Sequence, residues 1–159
     1  MKIRSSTLGF TLMELILVVV LLSILLLFAA SRFMGSSSFS AYTLQERVIS
    51  VIRQVQVNRM QSNVASPDNN FRLQVSSSCV GSVAACELTG SAQDARSDVV
   101  IDKSAKFSVI SGAANTINFN LLGNPVSGAV NILIEDKHGR SRCQVEINSQ
   151  GYVSKGTCS

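Results

Sequence analysis

Three groups of residues in this sequence have types and spacings that could do chemistry. The first is a carboxylate, Glu14, near the front of an apolar run. Residues 10–30 contain only Thr11, Glu14 and Ser23 as polar members. An ionised group within a lipid-embedded helix costs about 2.5–3.5 kcal/mol at mid-span, and less near an end, so it calls for a functional role and a partner. The second group is four cysteines, Cys79, Cys86, Cys143 and Cys158. The third is the segment Lys137-His138-Gly139-Arg140-Ser141-Arg142, because arginine can fork two phosphate oxygens. Missing from the sequence is a set that could run a reaction. His138 is the single histidine, and no nucleophile accompanies it to make a triad or an acid/base pair. Cys79-x6-Cys86 lacks the spacing of a zinc knuckle. No Gly-rich phosphate loop appears. The expectation is therefore no catalytic residue, no metal and no cofactor, which leaves assembly, anchoring or binding.

These residues must be held by elements whose pattern is legible. The 21 positions 10–30 would span about 31 Å as a helix, matching a bilayer core of about 30 Å. Lys2 and Arg4 precede the run with no acid between them, so the N-terminus is expected on the cytoplasmic side and the bulk of the chain outside. Four cysteines suit an oxidising compartment. They allow three pairings, of which the local ones, 79–86 and 143–158, are expected. The second would close a hairpin turning near Gln150-Gly151. The net charge of +4 falls to +2 without Lys2 and Arg4 (12 basic against 10 acidic), too little to imply nucleic acid by itself.

Past the apolar run, Leu44, Val48, Val51, Ile52, Val55 and Met60 recur at near-helical spacing. This predicts an amphipathic continuation of the helix over 31–66, with Arg47, Arg53 and Arg59 off the buried stripe. Gly35 to Ser38 is a weak point in it, and "ASPDNN" (65–70) ends it. From Phe71 onward short alternating segments follow: "FRLQVSS", "DVVID", "KFSVI", "TINFNL", "AVNILIED", "RCQVEIN" and "GYVS". The expected fold is α+β, a long helix laid across an antiparallel sheet, with a β-rich globular part over 67–159.

The stretch "GFTLMEL", Gly9 to Leu15, resembles the processing site of type IV pilins and type II secretion pseudopilins. A short basic leader (1–9) ends in Gly9, Phe10 follows, and Glu14 is five residues into the mature chain. The resemblance implies cleavage after Gly9 by a prepilin peptidase and N-methylation of Phe10. It implies that Glu14 meets the new α-ammonium of a neighbouring subunit during assembly. The stretch "INFNLLGNPVSGAVNILIEDKHGRSRCQVEINSQGYV" is similar to the C-terminal half of GspH/FimT-type minor pilins, and "SRFMGSSSFSAY…RVISVIRQVQ" to minor pilins of mannose-sensitive haemagglutinin pili. The family expectation is the pilin fold in a non-catalytic subunit of the bacterial inner membrane, with a cytoplasmic N-terminus and periplasmic domain, later incorporated into a pilus. Its partners would be major and minor pilin subunits, the prepilin peptidase and the inner-membrane assembly platform. A type II secretion pseudopilin is the first alternative. A DNA-uptake pilin is the second, since Gly139-Arg140-Ser141-Arg142, beside Lys137, matches the Gly-Arg-x-Arg pattern of FimT-like pilins. Glu135, Asp136 and Glu146 dilute that charge, and phosphate binding calls for a larger basic footprint. An unrelated single-span anchored protein is the third.

Overall fold

The structure is a computed structural model that describes residues 12–33, 40–112 and 114–159, with side chains over 12–25, 41–112 and 114–159. The chain divides into two units, residues 1–36 and 37–159. In the first, α1 (Leu12–Phe33) is a helix with Glu14 in its first turn. Its described apolar side chains are solvent-exposed, from Leu12 at 76% to Val18 at 44%. The side chains described in α1 cover 14 positions, roughly 21 Å of helix. Among the described residues no helix is long and apolar enough to cross a membrane; Phe10 and Thr11, at the front of the expected span, lie outside them, as do the side chains of 26–30.

The second unit is an α+β domain in which one helix packs against antiparallel sheets. Helix α2 (Ser40–Gln61) buries Ala41, Leu44, Val48, Ile49, Val51, Ile52 and Val55. The expected stripe holds as far as Val55, but Met60 is half exposed. The join to the apolar run falls at residues 34–39, outside the described residues. The helix stops at Gln61, before "ASPDNN", because Ser62 closes it: the Ser62 Oγ donates to Arg59 O (2.7 Å) and its backbone N–H to the same carbonyl (3.2 Å). A hydroxyl that offers the last turn an alternative partner favours the end of a helix.

The strands form two four-stranded sheets rather than one. Sheet A contains β1 (Arg72–Val75), β2 (Cys79–Ser82), β3 (Val99–Ile101) and β5 (Thr116–Asn118), in the order β3-β2-β1-β5. Sheet B contains β4 (Ala105–Ser111), β6 (Val130–Asp136), β7 (Arg142–Ile147) and β8 (Val153–Cys158), in the order β4-β6-β7-β8. Every pairing is antiparallel. Strand β6 alternates cleanly, with Val130, Ile132, Ile134 and Asp136 inward, the period of a half-buried strand. Strand β2 is not among the segments expected from the sequence. Gly81 explains it: opposite Val99, a Cβ here would sit 2.6 Å from the Asp98 carbonyl, so only glycine admits the close approach of β3. Two single-turn helices, α3 (Val83–Cys86) and α4 (Ser91–Asp94), fill the β2–β3 connection.

Both sheets contribute to one core. Leu73, Val75, Val80, Val100 and Ile117 from sheet A meet Phe107, Ile132, Ile134, Val145 and Ile147 from sheet B around the buried face of α2. Polar side chains of α2 then bind the sheets' backbone. Gln45 Nε2 donates to Gln144 O (2.6 Å) and Gly156 O (3.2 Å). Gln56 Nε2 donates to Gly123 O (2.9 Å) and Gly151 O (2.8 Å). Arg53 Nη2 donates to Val153 O (2.9 Å). Ile52→Ala is expected to cost about 2–5 kcal/mol, as a large-to-small change in a packed core. Gln56→Ala, which orphans two carbonyls, is expected to cost about 1–3 kcal/mol. Urea denaturation of the full-length protein, followed by far-ultraviolet circular dichroism, measures both.

Candidate functional site

The residues singled out in the sequence fall in four places. Gly9 and Phe10 lie outside the described residues. Glu14 is in the first turn of α1, where a carboxylate complements the helix's positive end.

The cysteines form the two local bridges. Cys79 on β2 joins Cys86 on α3, with Cα atoms 6.0 Å apart. Ser82 makes this reach natural: its Oγ accepts from Ala85 N (3.1 Å) and caps α3, which folds the chain back toward β2. Cys143 and Cys158 face each other across β7 and β8, Cα atoms 4.1 Å apart. The next pair outward, Arg142 and Ser159, exchanges both backbone hydrogen bonds at 2.8 Å. The cysteines therefore occupy a non-hydrogen-bonded pair, the closer of the two kinds. The turn is where the sequence placed it, and a one-residue register shift between Cys143 and Val145 brings Cys143 opposite Cys158. Asn148 Oδ1 accepts from Gln150 N (3.0 Å) and Tyr152 N (2.8 Å), and Gly151 takes φ +82°.

Lys137, Arg140 and Arg142 lie on or beside the turn between β6 and β7. Gly139 turns the chain with φ +67° and donates to Asp136 O (2.7 Å). Both arginines are more than half exposed, and each faces a carboxylate. Arg142 Nε is 3.0 Å from Glu135 Oε1, and Arg140 Nε is 3.9 Å from Asp136 Oδ2. The turn therefore presents three cations beside two partnered acids, a nearly balanced patch with little field to attract a polyanion. Among the described residues no group of three or more His, Cys, Asp or Glu could hold a metal ion.

Two arginine sites escaped the sequence reading. Arg59, expected on the solvated face of α2, is 4% exposed. Its Nε donates to Phe119 O (3.1 Å) and its Nη1 to Ser62 Oγ (2.8 Å) and Val64 O (2.9 Å). A buried cation is tolerable when neutral acceptors satisfy it, and the negative end of α2 adds to them. Its place in the last helical turn was the available signal. The second site is Arg96 with Asp98. Arg96 Nη2 donates to Asp98 Oδ2 (2.7 Å) and Nε to Oδ1 (2.8 Å), a two-pronged pair beside Ser82. Burial would push the Asp98 carboxyl up, but hydrogen bonds from Arg96 and Ser82 and the Arg96 charge outweigh it, so Asp98 is held below the usual carboxylate range. The hydrogen bond to Asp98 likewise raises Arg96.

A lowered Asp98 stabilises the fold at every pH above its unfolded value of about 3.9, and this contribution is lost as pH falls through the folded value. Asp98→Asn should therefore lower Tm at pH 7, with the gap to wild type closing as pH drops below about 4. Thermal melts of both proteins between pH 2 and 7 measure this.

Comparison of the chain with family models, with curated proteins and with solved structures returns no match.

Proposed function

We propose that the chain is a non-catalytic subunit of the type IV pilin class, a minor pilin or pseudopilin held in the bacterial inner membrane until it is incorporated into a filament. The observation that carries this reading is the order Gly9, Phe10, Glu14 at the mouth of an apolar run. Cleavage between Gly9 and Phe10 would release an α-ammonium four residues from Glu14. In a medium of low dielectric, that ammonium and the carboxylate of an adjacent subunit would attract strongly, and either one alone would be costly. Glu14 would thus reward one axial stagger between subunits. Residues 10–30 would serve as the membrane anchor, and the described part of α1 supports this because its apolar side chains need lipid or other helices to cover them. A helix packed on antiparallel sheets and stapled by two disulfides suits an exported domain.

Pilus and secretion-system versions of this subunit share the same physics. An operon carrying pilus genes or secretion genes separates them. The DNA-uptake version is the weaker reading, because Glu135 and Asp136 already face Arg142 and Arg140.

Mass spectrometry of protein from cells with an active prepilin peptidase should show an N-methylated Phe10 terminus; an intact Met1 terminus there would sink the proposal. Glu14→Gln should insert in the membrane as well as wild type, yet be depleted from sheared filaments. Equal amounts of the two proteins in filaments would remove the assembly role from Glu14. For DNA, Arg140→Gln with Arg142→Gln should change duplex affinity less than about twofold at 0.15 M salt, because charges already paired release few counterions. A fluorescence titration of the full-length protein reads that change, and a large loss would restore the DNA role.

A further inference from the structure

A cleft of about 410 Å³ lies beyond the end of α2, between the segment 65–67 on one side and residues 118–120 on the other. That is the size of a small-ligand pocket. Its polar lining is one-sided. Arg59 and Arg72 both line it, the first as a buried cation and the second half-buried on β1. No acid lines the cleft. None of the ion pairs formed between described residues includes Arg59 or Arg72. Asp68, next along from Pro67, directs Oδ1 to the Asn70 amide (2.7 Å).

The amide side chains are oriented to donate. Asn118 uses its Oδ1 to accept from Arg72 Nε (2.9 Å). Asn120 uses its Oδ1 to accept from Leu122 N (2.9 Å) and Asn124 N (3.0 Å), in the turn stabilised by Gly123 at φ +82°. Their oxygens are committed, so what each offers a ligand is an N–H. The bond to Asn118 also fixes the Arg72 guanidinium, leaving its Nη edge as the fork for a ligand. Pro67 and Val126, the latter 71% exposed, give the cleft apolar flanks.

The geometry points to this cleft as a binding site for a small carboxylate, gripped through its two coplanar oxygens by the Arg72 Nη edge and the amides of Asn118 and Asn120, with Arg59 supplying fixed positive charge behind them. Two parallel N–H groups match a carboxylate in plane and in spacing. The apolar flanks suit a compact organic body, such as the ring of a sugar acid or the stem of a glutamate side chain. The inference stands on the cleft alone and does not rest on the pilin reading.

The test is a nuclear magnetic resonance titration of the full-length protein in detergent micelles, following Arg72 Nε–Hε and the side-chain amides of Asn118 and Asn120. Sodium glucuronate and the peptide acetyl-Ala-Glu-Ala-amide are the carboxylate probes; glucose and inorganic phosphate are the comparisons. Saturable shifts with either carboxylate and none with glucose are expected, and which probe binds tighter tells a sugar acid from an acidic side chain. Arg72→Gln should weaken that binding about tenfold or more, the loss of a charge-assisted hydrogen bond, while Arg47→Gln, on the exposed face of α2, should leave it unchanged. The remaining amide resonances report that Arg72→Gln is folded. No saturable shift with either carboxylate, equal binding by Arg72→Gln, or tighter binding of phosphate than of both carboxylates would overturn the assignment.

Discussion

The burial of one face of α2 between two small sheets is the constraint on which the folded domain depends. Neither sheet could stand alone. Sheet A has strands of three and four residues, too short to bury a core of their own. Sheet B is larger, but its inward side chains, Ile132, Ile134, Val145 and Ile147, need a cover. The helix provides it for both at once, with Val48, Ile52 and Val55 fully buried at the junction. Each fully buried side chain of this size contributes roughly 1.5–3 kcal/mol relative to exposure.

Apolar packing alone would let the helix slide or rotate. The polar residues on the same face remove that freedom. Gln45, Gln56 and Arg59 each carry hydrogen bonds to backbone carbonyls that ladder pairing leaves open, at the strand β8, the turn before it and the loop after β5. Such bonds are directional, and losing one leaves a buried group unsatisfied. The cost of a misplaced helix is therefore steep. Exposed pairs such as Glu46 with Lys155 add little by comparison.

The same arrangement creates the cleft. Arg59, in the last turn of α2, fastens Ser62, Val64 and Ala65 to its own guanidinium and reaches Phe119 on the strand side. Two chain segments thereby meet at a buried cation, and the register that pairs Arg72 with Asn118 brings a second arginine to the same cleft. The disulfides act elsewhere. One closes the outer end of the β7–β8 hairpin, where Cys158 lies against Gln45 of α2, and the other ties α3 to β2.

Much of this was written in local sequence. Period-two alternation marked β6 and β7, because a half-buried strand must alternate. The stripe from Leu44 to Val55 marked α2, because a helix on a sheet must present one apolar side. Cysteine spacing around the Gln150-Gly151 turn marked the second bridge, although the register shift that brings Cys143 opposite Cys158 is not written in that spacing. The Gly9-Phe10-Glu14 constellation and its apolar run likewise needed no structure to be seen. Other features were decided only in three dimensions. Whether the strands formed one sheet or two depended on long-range strand pairing, and no single strand carries that information. Strand β2 depended on the close passage of β3 over Gly81. The burial of Arg59 depended in part on the Phe119 carbonyl, 60 residues away. A charged side chain reads as surface from sequence because water is its default solvent; only tertiary structure can supply the acceptors that replace it.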